Sequence, residues 1–144
     1  ELRREVGRYG AMGGEEAAAE VKQKLEHLVT SRPTAVNLSE ACHRLQQAAE
    51  GSKAQGGAQV AEAVAALAES MLEEDLAANR AMGAAGAEAI VEAVRQLKGD
   101  DRAGRLRVLT HCNTGSLATA GYGTALGVIR ALHERRGLEQ AYCT

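Results

Sequence analysis

Apolar residues return at every third or fourth position from Glu15 to Ser31, at Ala18, Val21, Leu25, Leu28 and Val29, and that spacing lines one face of a helix. Pro33, the only proline, biases Arg32 away from helical dihedrals and opens a second helix, which Val36, Leu38, Ala41 and Leu45 carry to about Ala49. "GSKAQGG", residues 51–57, predicts a flexible turn or loop. A third, longer helix follows with Val60, Val64, Leu67, Met71, Leu72 and Leu76 as its buried stripe. Gly83 and Gly86 are expected to interrupt it, and a shorter helix resumes through Ile90, Val91, Val94 and Leu97. The polar stretch "KGDDRAG", residues 98–104, predicts a linker and a domain boundary.

Beyond it the period changes. "RLRVLT" (105–110) is short, partly β-branched and bounded by loop residues, as a strand should be, and "EQAYC" (139–143) is a second short candidate. Between them, Ala125, Ile129 and Leu132 give Thr124 to Arg135 a helical period. Strand, loop, helix and strand make a βαβ unit with parallel strands. The predicted class is therefore α/β: an N-terminal helical domain over 1–99, then the first βαβ unit of a parallel sheet over 100–144. Two strands rarely make a stable sheet, so this one is expected to be incomplete, finished by missing segments or by a partner. The opening at Glu1 without Met and the stop just after a strand read as an excerpt of a longer polypeptide.

Composition narrows the possible functions. With 144 residues, 45% of them apolar, the chain has enough material for a real core, and the absence of Phe and Trp favours close-packed helices over a β-sandwich. A net charge of -2 with interspersed signs leaves no broad basic surface for nucleic acid and no polybasic patch for a membrane. It does leave room for a single phosphate, which needs one or two arginines and some backbone N–H groups. No apolar run reaches membrane-spanning length, and no signal-peptide core is present. Cys42, Cys112 and Cys143 lack CxxC or zinc-ligand spacing, so neither a disulfide scaffold nor a metal site is expected, and a reducing, cytoplasmic setting is the simplest reading.

Cys112 is the first candidate for chemistry. Ligands in open α/β sheets bind beyond the carboxyl ends of strands, and Cys112 falls there, ahead of a loop "NTGSLATAG" rich in small residues and of a helix whose positive end lowers a thiol's pKa. The competing reading is a small buried hydrophobe at a strand end. His111 is a poor dyad partner, because successive residues of an extended chain point to opposite sides. His27, His43 and His133 fall on helices as surface or packing residues. "GYGTALG" (121–127) has the wrong spacing for a dinucleotide fingerprint, and tight helix packing explains its glycines. Arg32, held beside Pro33 at a helix junction, can grip a phosphate in bidentate fashion or simply be solvated. Asp75 and Asn79 continue the stripe of the third helix as polar residues, expected to form a hydrogen-bonded joint between the two parts rather than to catalyse.

The stretch "LTHCNTGSLATAGYGTALGVIRALHERRGLEQAYCT" resembles the signature region of the methylthioribose-1-phosphate isomerases, and "SRPTAVNL" and "MLEEDLAANRAMGAAGA" resemble that family's helical-domain motifs in the expected order. The resemblance implies a helical domain followed by a Rossmann-like one, often a homodimer, with no cofactor and no metal, acting on a sugar phosphate in methionine salvage. It implies that Cys112 is the catalytic cysteine, proton donor or acceptor in partnership with an aspartate, and that Arg32 binds substrate. The implied reaction converts 5-methylthioribose 1-phosphate to 5-methylthioribulose 1-phosphate, through either an enolate or a hydride-like shift. The family's upstream RGAP motif, its ETRPYNQG continuation, the catalytic aspartate and an Asn–Lys pair are absent from this chain. The chain alone is therefore expected to be inactive. Two other readings stand beside this one: a non-catalytic interaction module held in a larger assembly, and a ribose-1,5-bisphosphate isomerase, which shares the family.

Overall fold

The computed structural model describes residues 2–99 and 105–144. In chain order it contains α1 (Leu2–Gly10), α2 (Gly14–Thr30), α3 (Val36–Ser52), a 3₁₀ turn (Lys53–Gln55), α4 (Gly57–Lys98), β1 (Leu106–Thr110), α5 (Ala125–Glu134) and β2 (Leu138–Cys143). The chain forms two compact units, one up to Met71 and one from Leu72 onward. The α/β class expected from the sequence is the one observed: helices first, then one βαβ unit with two parallel strands. Of the expected linker, residues 100–104 lie outside the described residues.

In the first unit, α2 opens with Glu15 and Glu16 in its first turn, where the helix dipole favours acids. It closes where the Thr30 and Ser31 hydroxyls donate to the carbonyls of His27 and Leu28, both at 2.7 Å. Pro33 does not open α3, as its position suggested. It lies in a turn in which the Ala35 N–H donates to the Arg32 carbonyl at 2.9 Å, and α3 begins only at Val36. Val36 is consequently 79% exposed, off the stripe it was expected to start. The packed face is instead Leu38, Cys42, Leu45 and Ala49, which joins Val21 and Leu25 of α2 and Val60 and Val64 of α4 in one core. Of residues 51–57, expected as a flexible turn or loop, Gly51 and Ser52 end α3, Lys53–Gln55 form a 3₁₀ turn and Gly57 begins α4. Lys53 there pairs with Glu15 and Glu50 at 3.2 and 2.9 Å, and its carbonyl abuts Gly14 too closely for any side chain at that position.

α1 is missed by the sequence analysis, although Leu2, Val6 and Tyr9 recur in it at helical spacing. It is held by Tyr9, which is fully buried. The Tyr9 hydroxyl donates to Glu20 Oε1 at 3.1 Å and accepts from Lys24 Nζ at 3.3 Å, while the Arg8 guanidinium lies 5.0 Å from the ring centroid. Glu20 also pairs with Arg8 and, at 3.0 Å, with Lys24. The hydrogen bond from Arg8 and then that from Lys24 outweigh desolvation and hold the Glu20 carboxyl at about 2, against an ordinary 4.5.

In the second unit, α4 passes through Gly83 and Gly86 without a break. These glycines serve helix packing instead: a Cβ on Gly83 would lie 2.9 Å from the carbonyl oxygen of Gly127, and one on Gly86 would lie 2.8 Å from Val128 Cγ2. The face turned to α5 therefore runs Asn79, Gly83, Ala87 at fourfold spacing, and Leu72 and Leu97 are exposed at 59% and 81%. β1 and β2 pair in parallel with Leu106 opposite Leu138 and Leu109 opposite Tyr142. Leu106 and Thr110 are buried while Leu109 is 67% exposed, the alternation of a sheet covered on one face. Ala87, Leu106, Ala131 and Leu132 form the core of this unit.

Two predictions follow from this packing. A carboxyl depressed on folding contributes stability that is fully present above pH 4.5 and lost as pH falls to about 2. Glu20→Gln should therefore lower stability at neutral pH and shrink the acid-induced loss across that window in a circular-dichroism titration; an unchanged acid slope would rule out Glu20 as its source. At Gly83 the obstacle is backbone, so overpacking of about 1–3 kcal/mol outweighs the roughly 1 kcal/mol that alanine gains in a helix. Gly83→Ala should lower the denaturation midpoint. Gly7→Ala, with nothing within 4 Å of the added carbon, should raise it.

Candidate functional site

β1 ends at Thr110 and the chain turns at once. Cys112 adopts φ +79°, a left-handed conformation that side chains other than glycine rarely take. The turn is fastened to the end of β2: the Cys112 N–H donates to the Thr144 carbonyl at 3.3 Å, and the Thr144 N–H donates to that of Thr110 at 3.1 Å. The thiol is exposed. Cys112 is thus no buried hydrophobe, and a strained, exposed nucleophile at a strand end is a pattern that functional sites favour. His111 Nδ1 lies 2.6 Å from Thr144 Oγ1, and no hydrogen bond joins the imidazole to the thiol.

The loop that follows is braced by its own small polar residues. The Thr114 carbonyl accepts from the N–H groups of Thr124 and Leu126 at 3.1 and 3.4 Å. Thr119 Oγ1 accepts from the N–H groups of Gly121 and Gly123, at 3.4 and 3.1 Å, and donates to the Gly115 carbonyl at 3.4 Å. Gly123, at φ +89°, admits no side chain, since a Cβ would stand 2.7 Å from the Thr114 oxygen. Among the described residues, the N–H groups of Asn113 to Leu117 carry no hydrogen bond, which leaves them free for an anion.

Two charged side chains reach the same loop. Asp75 Oδ2, on α4, accepts from the Ala120 N–H at 2.7 Å. Arg130 Nη1, on α5, donates to the carbonyls of Gly121 and Tyr122 at 3.2 and 2.6 Å. Asn79 is 3% exposed and its Nδ2 donates to the Asp75 carbonyl at 2.7 Å, so both polar residues of the α4 stripe are hydrogen-bonded within this unit. The Tyr122 ring fills the space left by Gly83 and Gly127, with the Arg80 and Arg130 guanidiniums 5.9 and 5.7 Å from its centroid. The glycines of "GYGTALG" thus serve packing and turn geometry. Sequence reasoning missed Thr119 and Arg130; the available signal for the latter was an arginine inside the apolar run "GVIRAL".

Arg32 is exposed in the turn between α2 and α3 and belongs to the first unit, whereas Cys112 belongs to the second. The other cysteines differ sharply in setting. Cys42 is buried, and desolvation pushes its thiol up, whereas Cys143 is exposed at the end of β2. His27, His43 and His133 are exposed on their helices. Among the described residues no cluster of three or more His, Cys, Asp or Glu is placed to hold a metal ion, and no helix is long and apolar enough to cross a membrane.

A helical segment leading into a βαβ unit, with an exposed thiol and a braced loop beyond the first strand, places the molecule among α/β proteins that gather ligands at strand ends. The chain belongs to the initiation factor 2 subunit family, whose model matches residues 1–144. It is 54% identical over 134 residues to a methylthioribose-1-phosphate isomerase of Zea mays, covering 90% of this chain and 34% of that protein. It is 50% identical over 127 residues to one of Paracoccidioides brasiliensis, covering 86% and 33%. Among solved structures, the delta subunit of the translation initiation factor eIF-2B from A. fulgidus superposes with a TM-score of 0.63 at 35% identity, over 90% of this chain and 34% of that one. The chain spans about a third of the length of the curated relatives it matches.

The burial difference among the thiols makes a direct prediction. In the folded chain iodoacetamide should label Cys112 and Cys143 first, with Cys42 modified only on unfolding, as peptide mass mapping would read. Rapid labelling of Cys42 under native conditions would contradict the packing of α3.

Proposed function

We propose that this chain is the segment of a methylthioribose-1-phosphate isomerase that carries the catalytic thiol, Cys112, and one substrate-binding arginine, Arg32. The observation that carries the reading is the exposed, left-handed Cys112 at the end of β1, in a chain half-identical to proteins of that name. The reaction turns 5-methylthioribose 1-phosphate into 5-methylthioribulose 1-phosphate. Phosphate on C1 prevents the ring from opening to a free aldehyde before hydrogen moves, so the site assists ring opening and carries a hydrogen from C2 to C1. That transfer needs a positioned acid–base pair. Cys112 is one member, and an aspartate from the remainder of the polypeptide is the other. The free N–H groups of the 113–117 segment are suited to a phosphate, and an exposed guanidinium such as that of Arg32 is suited to an anionic group of a substrate.

In this reading the βαβ unit begins a Rossmann-like domain, with the boundary to the helical domain near residue 100. The complete enzyme is a cytoplasmic homodimer that needs neither cofactor nor metal, and the 144-residue chain alone is inactive. A second reading, a non-catalytic module of a larger assembly, is favoured by the likeness to an initiation-factor subunit. Its lower identity, 35% against 54% for the maize isomerase, places it second. A ribose-1,5-bisphosphate isomerase differs only in the pocket for the 5-substituent.

The test is turnover of 5-methylthioribose 1-phosphate by the full-length polypeptide, with ribose 1,5-bisphosphate in parallel. Cys112→Ala should lower kcat/KM by about 10²–10⁴-fold, the usual worth of a positioned proton-transfer group, and the 144-residue chain should show no turnover. A well-folded full-length protein that turns over neither sugar would sink the enzyme reading and leave the module.

A further inference from the structure

We propose that Asp75 and Arg130 act as a charged clamp, gripping the backbone of three consecutive residues, 120–122, of the 111–124 loop from two helices and so fixing the loop that presents Cys112. The proposal rests on the isomerase reading for its catalytic consequence and on geometry for the clamp itself.

The grip is made by opposite charges on opposite poles of the backbone. The Asp75 carboxylate takes the N–H of Ala120 at 2.7 Å; the Arg130 guanidinium takes the carbonyls of Gly121 and Tyr122 at 3.2 and 2.6 Å. Charge-assisted bonds of this kind are about twice as strong as neutral ones. Both side chains start from helices that are packed on each other, α4 and α5, through Gly83 against Gly127 and Gly86 against Val128, so the anchors cannot drift apart independently. Asp75 is itself placed: its backbone carbonyl accepts from the buried Asn79 amide at 2.7 Å. Arg130 is stacked 5.7 Å from the Tyr122 centroid.

The clamp also divides the loop by function. It consumes polar groups of residues 120–122, while Thr119 and Thr114 take up those of Gly121, Gly123 and Thr124. The N–H groups of Asn113 to Leu117, next to the thiol, stay open. Asp75 and Arg130 are thus positioning residues: neither contacts the thiol, and both act through the shape of the loop.

The experiment uses the full-length polypeptide with Asp75→Ala, Asp75→Asn, Arg130→Met and the Asp75→Ala/Arg130→Met double variant. Three quantities are read: turnover of 5-methylthioribose 1-phosphate, hydrogen exchange at the Ala120 amide, and the pH dependence of Cys112 alkylation. Asp75→Ala should speed Ala120 exchange by about tenfold or more and lower kcat by up to about 100-fold, the scale of an ångström's misplacement of a reacting group. Asp75→Asn keeps an acceptor oxygen and should lose only about threefold. Since both residues hold one segment, the double variant should fall well short of the product of the single effects. The Cys112 alkylation profile should change in Asp75→Ala and return toward that of the unaltered protein in Asp75→Asn. If Asp75→Ala leaves Ala120 exchange and Cys112 alkylation unchanged, or if Asp75→Asn is as impaired as Asp75→Ala, the clamp is overturned. If the unaltered protein fails to turn over the sugar while exchange and alkylation respond as described, the clamp stands and the isomerase reading falls.

Discussion

The seating of α5 against two glycines of α4 is the constraint from which the second unit follows. With a Cβ at Gly83 or Gly86 the helices would separate, because one obstacle is the Gly127 backbone and the other the branched side chain of Val128. Close approach brings Ala87 into one core with Ala131 and Leu132, and that core supports Leu106 of β1. It also makes the slot that the Tyr122 ring fills. The turn at Cys112 is downstream of all this: its left-handed backbone survives because β2 is held beside β1, and β2 arrives through α5.

The two units use charge differently, and magnitudes decide what each use is worth. Around Tyr9 the first unit gathers Arg8, Glu20 and Lys24, charges on partly exposed side chains that satisfy a buried hydroxyl. Exposed pairs of that sort contribute about 0–1 kcal/mol each, so the buried Tyr9 ring outweighs each of them in anchoring α1. In the second unit Asp75 and Arg130 spend their charges on backbone groups. A hydrogen bond to a charged group is worth about 1.5–3 kcal/mol, enough to choose one loop conformation over its neighbours.

Much of this architecture was legible in periodicity. The apolar spacing from Ala18 to Val29 marked α2, and the change of period after residue 104 marked the βαβ unit. What misled was glycine and proline read as punctuation. Gly83 and Gly86 are spaced to meet another helix, and only the partner surface distinguishes that use from a break. Pro33 falls inside a turn because the Arg32 carbonyl finds its donor in Ala35. α1 was silent because its few apolar residues, Leu2, Val6 and Tyr9, sit among charges that a hydrophobic scan discounts. For the candidate site, the sequence placed Cys112 just past a strand end, where it lies, yet neither its φ nor the partnership of Asp75 with Ala120, 45 residues apart, is encoded locally.

The parallel pairing of β1 with β2 also carries a consequence for the order in which the molecule acquires its structure. The helices of the first unit meet partners close in sequence, a topology that folds quickly. β1 cannot pair until the loop and the whole of α5 have been made and β2 has arrived, so Leu109 and its free backbone edge wait while the chain lengthens. On a ribosome adding residues at about 5–20 per second, that delay lasts seconds, far longer than helix formation, and β1 stays an unpaired strand for the whole of it.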